Sequence, residues 1–375
     1  MTRDLRVALV HDWLTGMRGG ERCLEVFCEL FPDADLFTLL HVPGSVSPVI
    51  ERRRIVTSFV QRLPRAVERY RYYLPLFPAA MRAFDFSPYD LVLSSSHAVA
   101  KAARQRKGAT HVFYCFTPMR YVWDLYDDYF GARAPRAARL VMPPIAAALR
   151  RWDRRTSARP DRLVAISRFV ANRIRRVWGR DADVIHPPVD AARYAMAADD
   201  PADYYLVVSA LVPYKRVDLA VAAATRLGRR LLVVGSGPEA PRLAAAAGPT
   251  VEFLGWRSDA EIAELYARCR AVLFPPLEDF GIVPLEAMAA GRPVAAYGAG
   301  GATETVVGLG SGGDAAPTGV FFHEQTVDAL VEAMRTLEAN EARFEPKALR
   351  AHAETFDRPL FRDRIAAYLE RALAC

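Results

Sequence analysis

Two carboxylates with seven residues between them narrow the chemistry of this chain more than anything else in it. They are Glu278 and Glu286, in Glu278-Asp279-Phe280-Gly281-Ile282-Val283-Pro284-Leu285-Glu286. Ala271-Val272-Leu273-Phe274 reads as an apolar strand stopped by Pro275-Pro276, and Pro284 suits the first position of a helix over Leu285 to Ala290 that ends at Gly291. This spacing predicts Glu278 on the loop and Glu286 in the first helical turn. In an open parallel sheet, ligands bind beyond the carboxyl ends of the strands, where helix N-terminal amides favour an anionic group. An acid placed there points to a ligand that carries hydroxyls as well as phosphate. A first-turn acid complementing the helix dipole, preceded by a solvated loop acid, would give the same pair in isolation.

Four further stations carry candidate chemistry. After a first short strand comes His11-Asp12-Trp13-Leu14-Thr15-Gly16-Met17-Arg18-Gly19-Gly20-Glu21, where Gly19 and Gly20 allow close backbone approach and the next helix offers amides, as a phosphate site requires. His97 follows Ser94-Ser95-Ser96 at the end of another strand. Lys215 and Arg216 end the segment Ser209-Ala210-Leu211-Val212-Pro213-Tyr214-Lys215-Arg216, at the predicted start of a helix to Leu227. Gly235-Ser236-Gly237-Pro238-Glu239 follows the strand Leu231 to Val234, and with Ala240 it reads G-x-G-x-x-A, a loose dinucleotide fingerprint with Glu252 as the acid nearest the distance needed to hold a ribose. That match keeps an NAD(P)-dependent oxidoreductase open as a rival function.

The string from Glu278 to Glu286 closely resembles the E-x7-E element of retaining glycosyltransferases of family 4, and the resemblance continues through most of the chain. It implies the α/β GT-B fold, two Rossmann-like domains whose parallel sheets face across a cleft, with a C-terminal helix crossing back to the first domain. It also implies roles for individual residues. Glu278 would face the donor sugar, Glu286 would take the ribose hydroxyls, and Lys215 matches the lysine that clamps the leaving diphosphate. The family's usual arginine five residues earlier is replaced by Ala210, with Arg216 the candidate for partial compensation. Gly19 and Gly20 are similar to the N-terminal glycine loop near the donor diphosphate, and His97 matches a Ser-x-His element whose histidine touches the donor sugar. Amides at Gly235, Gly237, Gly281, Ile282 and Val283 would approach the nucleotide or stabilise charge. The loop from Gly298 to Glu304 is similar to a Gly-Gly-x-x-Glu turn of the family. Finally, His111 to Asp124 resembles the acceptor-side loop of bacterial mannosyltransferases that build lipid-linked polysaccharides, with Arg120, Tyr121, Trp123 and Asp124 suited to holding phosphate and stacking on sugar.

The activity implied is retaining transfer of a hexose, with GDP-mannose the expected nucleotide-sugar donor and a glycan or lipid-linked acceptor, in cell-surface polysaccharide synthesis. Glycosidases that retain configuration use two carboxylates about 5 Å apart, whereas here only Glu278 is expected at the sugar. The resemblance therefore implies reaction on one face, with the departing diphosphate taking the acceptor proton and electrostatic stabilisation supplying the largest part of the rate. No cofactor is expected, and no metal either, since no Asp-x-Asp pair has a suitable setting. Ala210 also leaves open a nucleotide-sugar-binding protein that has lost catalysis.

The elements that must position these residues alternate. Strand signals at Leu5 to His11, Leu91 to Ser95, His111 to Cys115 and Leu163 to Ile166 are separated by helical stripes such as Glu21 to Phe31, and Ser167 reads as the N-cap of a helix to Trp178. After an Asp-, Ala- and Pro-rich linker near 187–203 the alternation restarts at Tyr205 to Ser209. The predicted division is an acceptor-binding domain over 1–187, a nucleotide-sugar domain over 188–357 and a returning helix over 358–375. A length of 375 residues and 52% hydrophobic content suit two such cores.

Charge separates the halves. Residues 1–187 carry 31 Lys and Arg against 18 Asp and Glu, a net +13, whereas residues 188–375 carry 19 against 25, a net −6. The basic excess gathers at Arg52 to Arg54, at Arg62 to Arg71 beside Tyr70, Tyr72, Tyr73, Leu74, Leu76 and Phe77, and at Arg150 to Arg159. Such interleaving suits an anionic membrane surface or a lipid-linked pyrophosphate, and is read as that rather than as a nucleic-acid site; in a chain with 46 arginines it is also what a solvated face looks like. Five scattered cysteines without a C-x-x-C pair suggest neither a disulfide framework nor a zinc site. Met1-Thr2-Arg3-Asp4 lacks a signal-peptide pattern and no run of about 18 apolar residues occurs, so a cytoplasmic location is expected, with peripheral attachment to the inner face of the membrane.

Overall fold

Val7–His11 is buried at every position, as a parallel strand covered on both faces must be, and this is why it reads as an unbroken apolar run rather than an alternation. The computed structural model describes residues 5–131, 136–196, 201–312 and 315–374. Met1–Asp4 and part of the 187–203 segment read as a linker lie outside them. The chain divides into two compact units, residues 1–187 with 361–375, and residues 188–360.

The first unit is built on seven strands: β1 Val7–His11, β2 Asp35–Thr38, β3 Arg54–Thr57, β4 Leu91–Ser96, β5 Thr110–Cys115, β6 Arg162–Ala165 and β7 Asp183–Val184. Their order is β3-β2-β1-β4-β5-β6-β7 and every pairing is parallel. The order reverses between β1 and β4, the switch point where a doubly wound sheet leaves room for ligand, and His11 lies opposite Ser95 there. The helix Gly19–Leu30 returns from β1, and Ser167 caps the helix Arg168–Trp178 by accepting from Val170 N at 3.0 Å. Residues 361–374 of the last helix, Arg358–Ala374, pack on this unit: Phe361 meets Phe27 and Tyr114, and Tyr368 donates to Asp183 at 2.7 Å.

The second unit has six strands: β8 Tyr205–Val208, β9 Leu231–Val234, β10 Val251–Gly255, β11 Ala271–Phe274, β12 Val294–Tyr297 and β13 Gly319–Phe322. They run in the order β10-β9-β8-β11-β12-β13, again all parallel, with the reversal between β8 and β11. Lys215 follows β8 and Glu278 follows β11, so the two charged candidates flank the switch point of their own sheet.

His111 on β5 is wholly buried with Nε2 at 2.7 Å from Ser94 Oγ. Burial, helped by the charges of Arg159 and Arg180, pushes its pKa down to about 3. The native chain therefore holds it neutral, while the unfolded chain takes a proton near 6.5. Its contribution to stability is complete above that value and is lost as pH falls from there toward 3. Between pH 6.5 and 5 the unfolding free energy should drop by about 1.5 kcal/mol more in the wild type than in His111→Gln. Denaturant melts of the two proteins across that range measure the difference.

Candidate functional site

In the first unit the site is organised by a residue that sequence reasoning quoted but did not assign. Asp12 follows β1 and is almost completely buried. Its two carboxylate oxygens accept from Ser96 Oγ at 2.8 Å each, from His97 N and Ala98 N at 3.0 Å, from Val99 N at 2.9 Å and from Ala100 N at 3.1 Å. Four successive amides turned onto one carboxylate fix the turn after β4, and with it the start of the His97 side chain. The imidazole stands edge-on to Trp13, 4.7 Å between ring centres, with Nδ1 at 3.6 Å from Asp12. Crowding by protein lowers its pKa below 6.5; Asp12 and Glu21 oppose this, while His11 and Arg120 add to it. The ring stays accessible over about 41% of its side chain. His97 is thus a neutral, partly open imidazole at the end of β4.

Gly19 and Gly20 open the helix Gly19–Leu30, and an acid of the chain itself stands in its first turn. Glu21, in the first turn, accepts from Arg18 N at 3.1 Å and faces His11 Nε2 at 3.8 Å. Burial alone would raise its carboxyl; His11, its own amide and Arg18 outweigh that and hold it low. Gly20 has a packing reason as well, since a Cβ there would meet the Phe116 ring at 3.1 Å. Gly19 and Gly20 thus stand beside a first-turn acid that the Arg18 amide and His11 already hold.

The four residues read as acceptor-side are likewise held by the fold. Trp123 Nε1 donates to Asp153 at 2.9 Å, and its ring lies under Arg150 and Arg154. Asp124 pairs with Arg173 and with Arg176, the latter at 2.5 Å. Tyr121 packs against the main hydrophobic cluster, where burial, with the charges of Asp12 and Asp153, keeps its phenol far above 10. Arg120 bears on the His97 environment through its charge. Trp123 and Asp124 thus tie their loop to the helices Arg136–Thr156 and Arg168–Trp178.

The second unit assembles the donor-side residues. Lys215 Nζ and Glu278 Oε1 form an ion pair, both side chains mostly shielded. Lys215 lies on a short 3-10 turn, Pro213–Lys215, and the helix begins only at Val217, because Arg216 between them adopts a left-handed conformation with φ of 50°. The guanidinium of Arg216 is bound to the Asp218 carboxylate at 3.2 Å and to the Gln325 carbonyl at 3.4 Å. In this structure the chain's own acceptors hold it. The backbone of Glu278 rests on the Gly298–Glu304 loop: Gly301 N donates to Glu278 O at 2.8 Å, and a Cβ on Gly300 would come within 2.6 Å of that oxygen.

The helix after Glu278 begins earlier than its proline suggests. It runs Ile282–Ala289 behind Gly281, whose φ of 95° only glycine adopts readily, so Pro284 is the third helical residue, still in the first turn where its absent N–H loses nothing. Glu286 therefore lies in the second turn, while the N–H groups of Ile282 and Val283 open the helix. Tyr266, on the helix Asp259–Arg268, donates to Glu286 Oε2 at 3.0 Å. The phenol is fully buried and is kept well above 10 by that burial and by the Glu286 charge, so it stays a donor. Nothing in the local pattern around Glu286 points to a partner 20 residues upstream. Tyr266→Phe should weaken nucleotide binding by about fivefold, the effect of losing one hydrogen bond to a charged group that aims the carboxylate. Titration calorimetry with a nucleoside diphosphate measures it.

Gly235 and Gly237 have a reason that does not involve a dinucleotide. A Cβ on Gly235 would fall 1.8 Å from Ser209 O, and one on Gly237 2.2 Å from Leu211 O. The loop is laced to 209–211 by Leu211 N to Ser236 O at 2.9 Å and Glu239 N to Leu211 O at 3.0 Å. Glu252, moreover, is the second residue of β10 and pairs with Arg230, at the end of that strand away from the Gly235 loop. Among the described residues no group of three or more His, Cys, Asp or Glu is placed to hold a metal ion.

Comparison with known proteins agrees with this arrangement. Residues 17–193 match the model for Glycosyltransferase Family 4, and residues 190–355 the model for Glycosyl transferases group 1. The chain belongs to the family 4 glycosyltransferases. The D-inositol 3-phosphate glycosyltransferases of Mycobacterium tuberculosis and Mycobacterium bovis are 30% identical over 242 residues, covering 57% of this chain and 49% of theirs. The chain thus spans about half the length of these curated relatives. Among solved structures, sucrose-phosphate synthase from Thermosynechococcus elongatus aligns with a TM-score of 0.72 at 19% identity, over 98% of this chain and 99% of its own. Anabaena HepE in complex with UDP and glucose gives 0.70 at 19% over the same shares, and the lipopolysaccharide outer core galactosyltransferase WaaB 0.65 at 16% over 98% and 99%. These place this family 4 chain in the GT-B fold, with one parallel α/β sheet in each unit.

Proposed function

We propose that this family 4 chain transfers a hexose, with retention, from a nucleoside diphosphate sugar to a glycan or lipid-linked acceptor. The observation that carries the reading is the Lys215–Glu278 pair at the switch point of the second sheet, beside the amides of Ile282 and Val283 and the Tyr266-held Glu286. A carboxylate that is neutralised by a lysine until a ligand arrives suits a donor with two faces: Glu278 turns to sugar hydroxyls while Lys215 takes a phosphate oxygen. The bond from the anomeric carbon to the diphosphate breaks, a bond to the acceptor oxygen forms on the same face, and the acceptor proton passes to the departing diphosphate. Cations and helix-start amides aimed at that departing charge lower the barrier. The oxidoreductase reading loses its motif to the packing of Gly235 and Gly237.

GDP-mannose is the donor proposed from the resemblance, and the UDP and glucose named with the Anabaena neighbour make UDP-hexoses the competing arm. A thermal-shift panel of GDP, UDP, ADP and their hexose conjugates tests the reading, since a ligand of the native state raises the melting temperature. Nicotinamide nucleotides that stabilise the protein where none of these do would overturn it.

The acceptor proposal extends to an anionic bilayer. On the helix Arg136–Thr156 six arginines face a single acid, Asp153, which is buried, and Leu140 stands 81% exposed beside Val141. Tyr72, 82% exposed, lies in the second arginine-rich stretch of the same unit. Basic residues with protruding apolar groups favour an interfacial location, and no helix among the described residues is long and apolar enough to cross a membrane. Cosedimentation with vesicles containing phosphatidylglycerol should be strong and should fall about tenfold in Leu140→Glu/Val141→Glu. Equal binding of wild type and variant would remove this helix from the proposal.

A further inference from the structure

We infer that the buried Lys101–Asp153 pair is a positioning device for His97, a role that rests on His97 serving the transfer proposed above. Lys101 closes the turn that begins at His97. Its ammonium donates to Ala98 O at 2.8 Å and meets Asp153 Oδ1 at 2.6 Å, with both side chains essentially without solvent exposure. The other carboxylate oxygen of Asp153 accepts the indole N–H of Trp178 at 2.6 Å and of Trp123 at 2.9 Å. Nζ lies 5.3 Å from the ring centre of Trp152 and 5.2 Å from that of Trp178. One oxygen of the carboxylate thus takes both indole donors while the other faces the ammonium as an ion pair, and the ammonium has a carbonyl, a carboxylate and two aromatic faces.

Stability alone is a poor reason to build this. The attraction between two buried charges is largely offset by the loss of their hydration, and an apolar pair of equal volume serves a core as well. What a charged pair adds is fixed length and direction. Here it joins the helix Arg136–Thr156 to the carbonyl of Ala98, the residue after His97, while Asp12 grips the amides of 97–100 from the opposite side. The turn is held at its amides by one carboxylate and at a carbonyl by one ammonium, and His97 is the residue whose imidazole this leaves partly open. The choice of cation agrees. In a chain with 46 arginines and four lysines, the position enclosed by tryptophans carries a lysine, whose compact point charge fits where a planar guanidinium fork would not.

The test uses the full chain and the double variant Lys101→Met/Asp153→Leu, which strands no charge. It is compared with wild type by imidazole NMR, the His97 signal being assigned by its loss in His97→Asn. The imidazole faces Asp12 and Glu21, which favour its protonation, and His11 and Arg120, which oppose it. The variant leaves the Trp123 and Trp178 indoles without their acceptor and should melt several degrees below wild type, yet its His97 signal should shift and titrate at least half a unit higher, nearer the ordinary 6.5. Hexose transfer should fall about tenfold or more with the donor KM within about threefold, the signature of a misplaced group that acts after binding. A His97 signal and titration unchanged in the folded double variant would overturn the inference, whatever happens to the melting temperature. If wild type transfers no hexose at all, the functional proposal fails while the NMR comparison still decides whether the pair positions His97.

Discussion

Lys215→Met is expected to reduce hexose transfer by about a hundredfold to a thousandfold, the range found when one preorganised charge-stabilising group is removed from an active site. This is one of the two largest effects anticipated because neither neighbouring candidate can replace Lys215 in the role assigned to it. Ala210 cannot, and Arg216 is bound to Asp218 and Gln325. Glu278→Gln should bring a comparable loss, since its backbone is fixed by Gly301 and its side chain meets Lys215. Stability should follow another rule. Each single variant removes one member of a mostly shielded ion pair, whereas Lys215→Met/Glu278→Gln removes both. The double variant is therefore expected to regain about 1 kcal/mol relative to the sum of the singles, with no recovery of transfer. Initial rates with the donor identified by the nucleotide panel, together with denaturant melts, complete the cycle. Stability and activity that rise together in the double variant would mean the pair has no separate role in the reaction.

The parts of the site that could be read in advance are those in which sequence neighbours are also spatial neighbours. Lys215 and Glu278 belong to short strings whose strand, turn and helix signals follow one another, so their placement after β8 and β11 was legible, although the helix after Glu278 starts two residues before the proline that marks it. Glu286 was legible as a residue but not in its surroundings, because Tyr266 reaches it from another helix. Asp12 and the Lys101–Asp153 pair escaped for the same reason: the acceptors and donors that give them meaning lie 84 and more residues away for Asp12, and 52 positions apart for the pair. Trp123 and Asp124 carry contacts that the sequence does not show. Aromatic and acidic side chains suit a sugar site, yet the same groups suit the indole–carboxylate and arginine–carboxylate contacts that hold a loop to its helices, and only the fold separates the two. The left-handed backbone of Arg216 was not legible either, since no glycine or asparagine marks it.

Gly235→Ala should be the most destructive single-atom change in the second unit. A methyl group there would sit 1.8 Å from the Ser209 carbonyl oxygen, a backbone atom that cannot swing aside as a side chain end can, and φ is 133°, outside the range that alanine adopts without strain. Relief requires the 235–239 loop to lift from 209–211, which would break Leu211 N to Ser236 O and Glu239 N to Leu211 O. The segment displaced is the one that leads to Lys215. The expected loss is therefore about 3 kcal/mol or more of stability, the sum of backbone strain and overpacking, accompanied by weaker nucleotide binding in whatever fraction remains folded. Gly228→Ala is the matched control. It has a φ of 63° and no atom within 4 Å of the position its methyl group would take, so it carries the conformational penalty alone, about 1 kcal/mol. Denaturant melts of both variants with and without a nucleoside diphosphate separate the two contributions. Equal losses for Gly235→Ala and Gly228→Ala would show that the loop yields easily, and that the glycines of the G-x-G string must be explained by what approaches them from outside the protein.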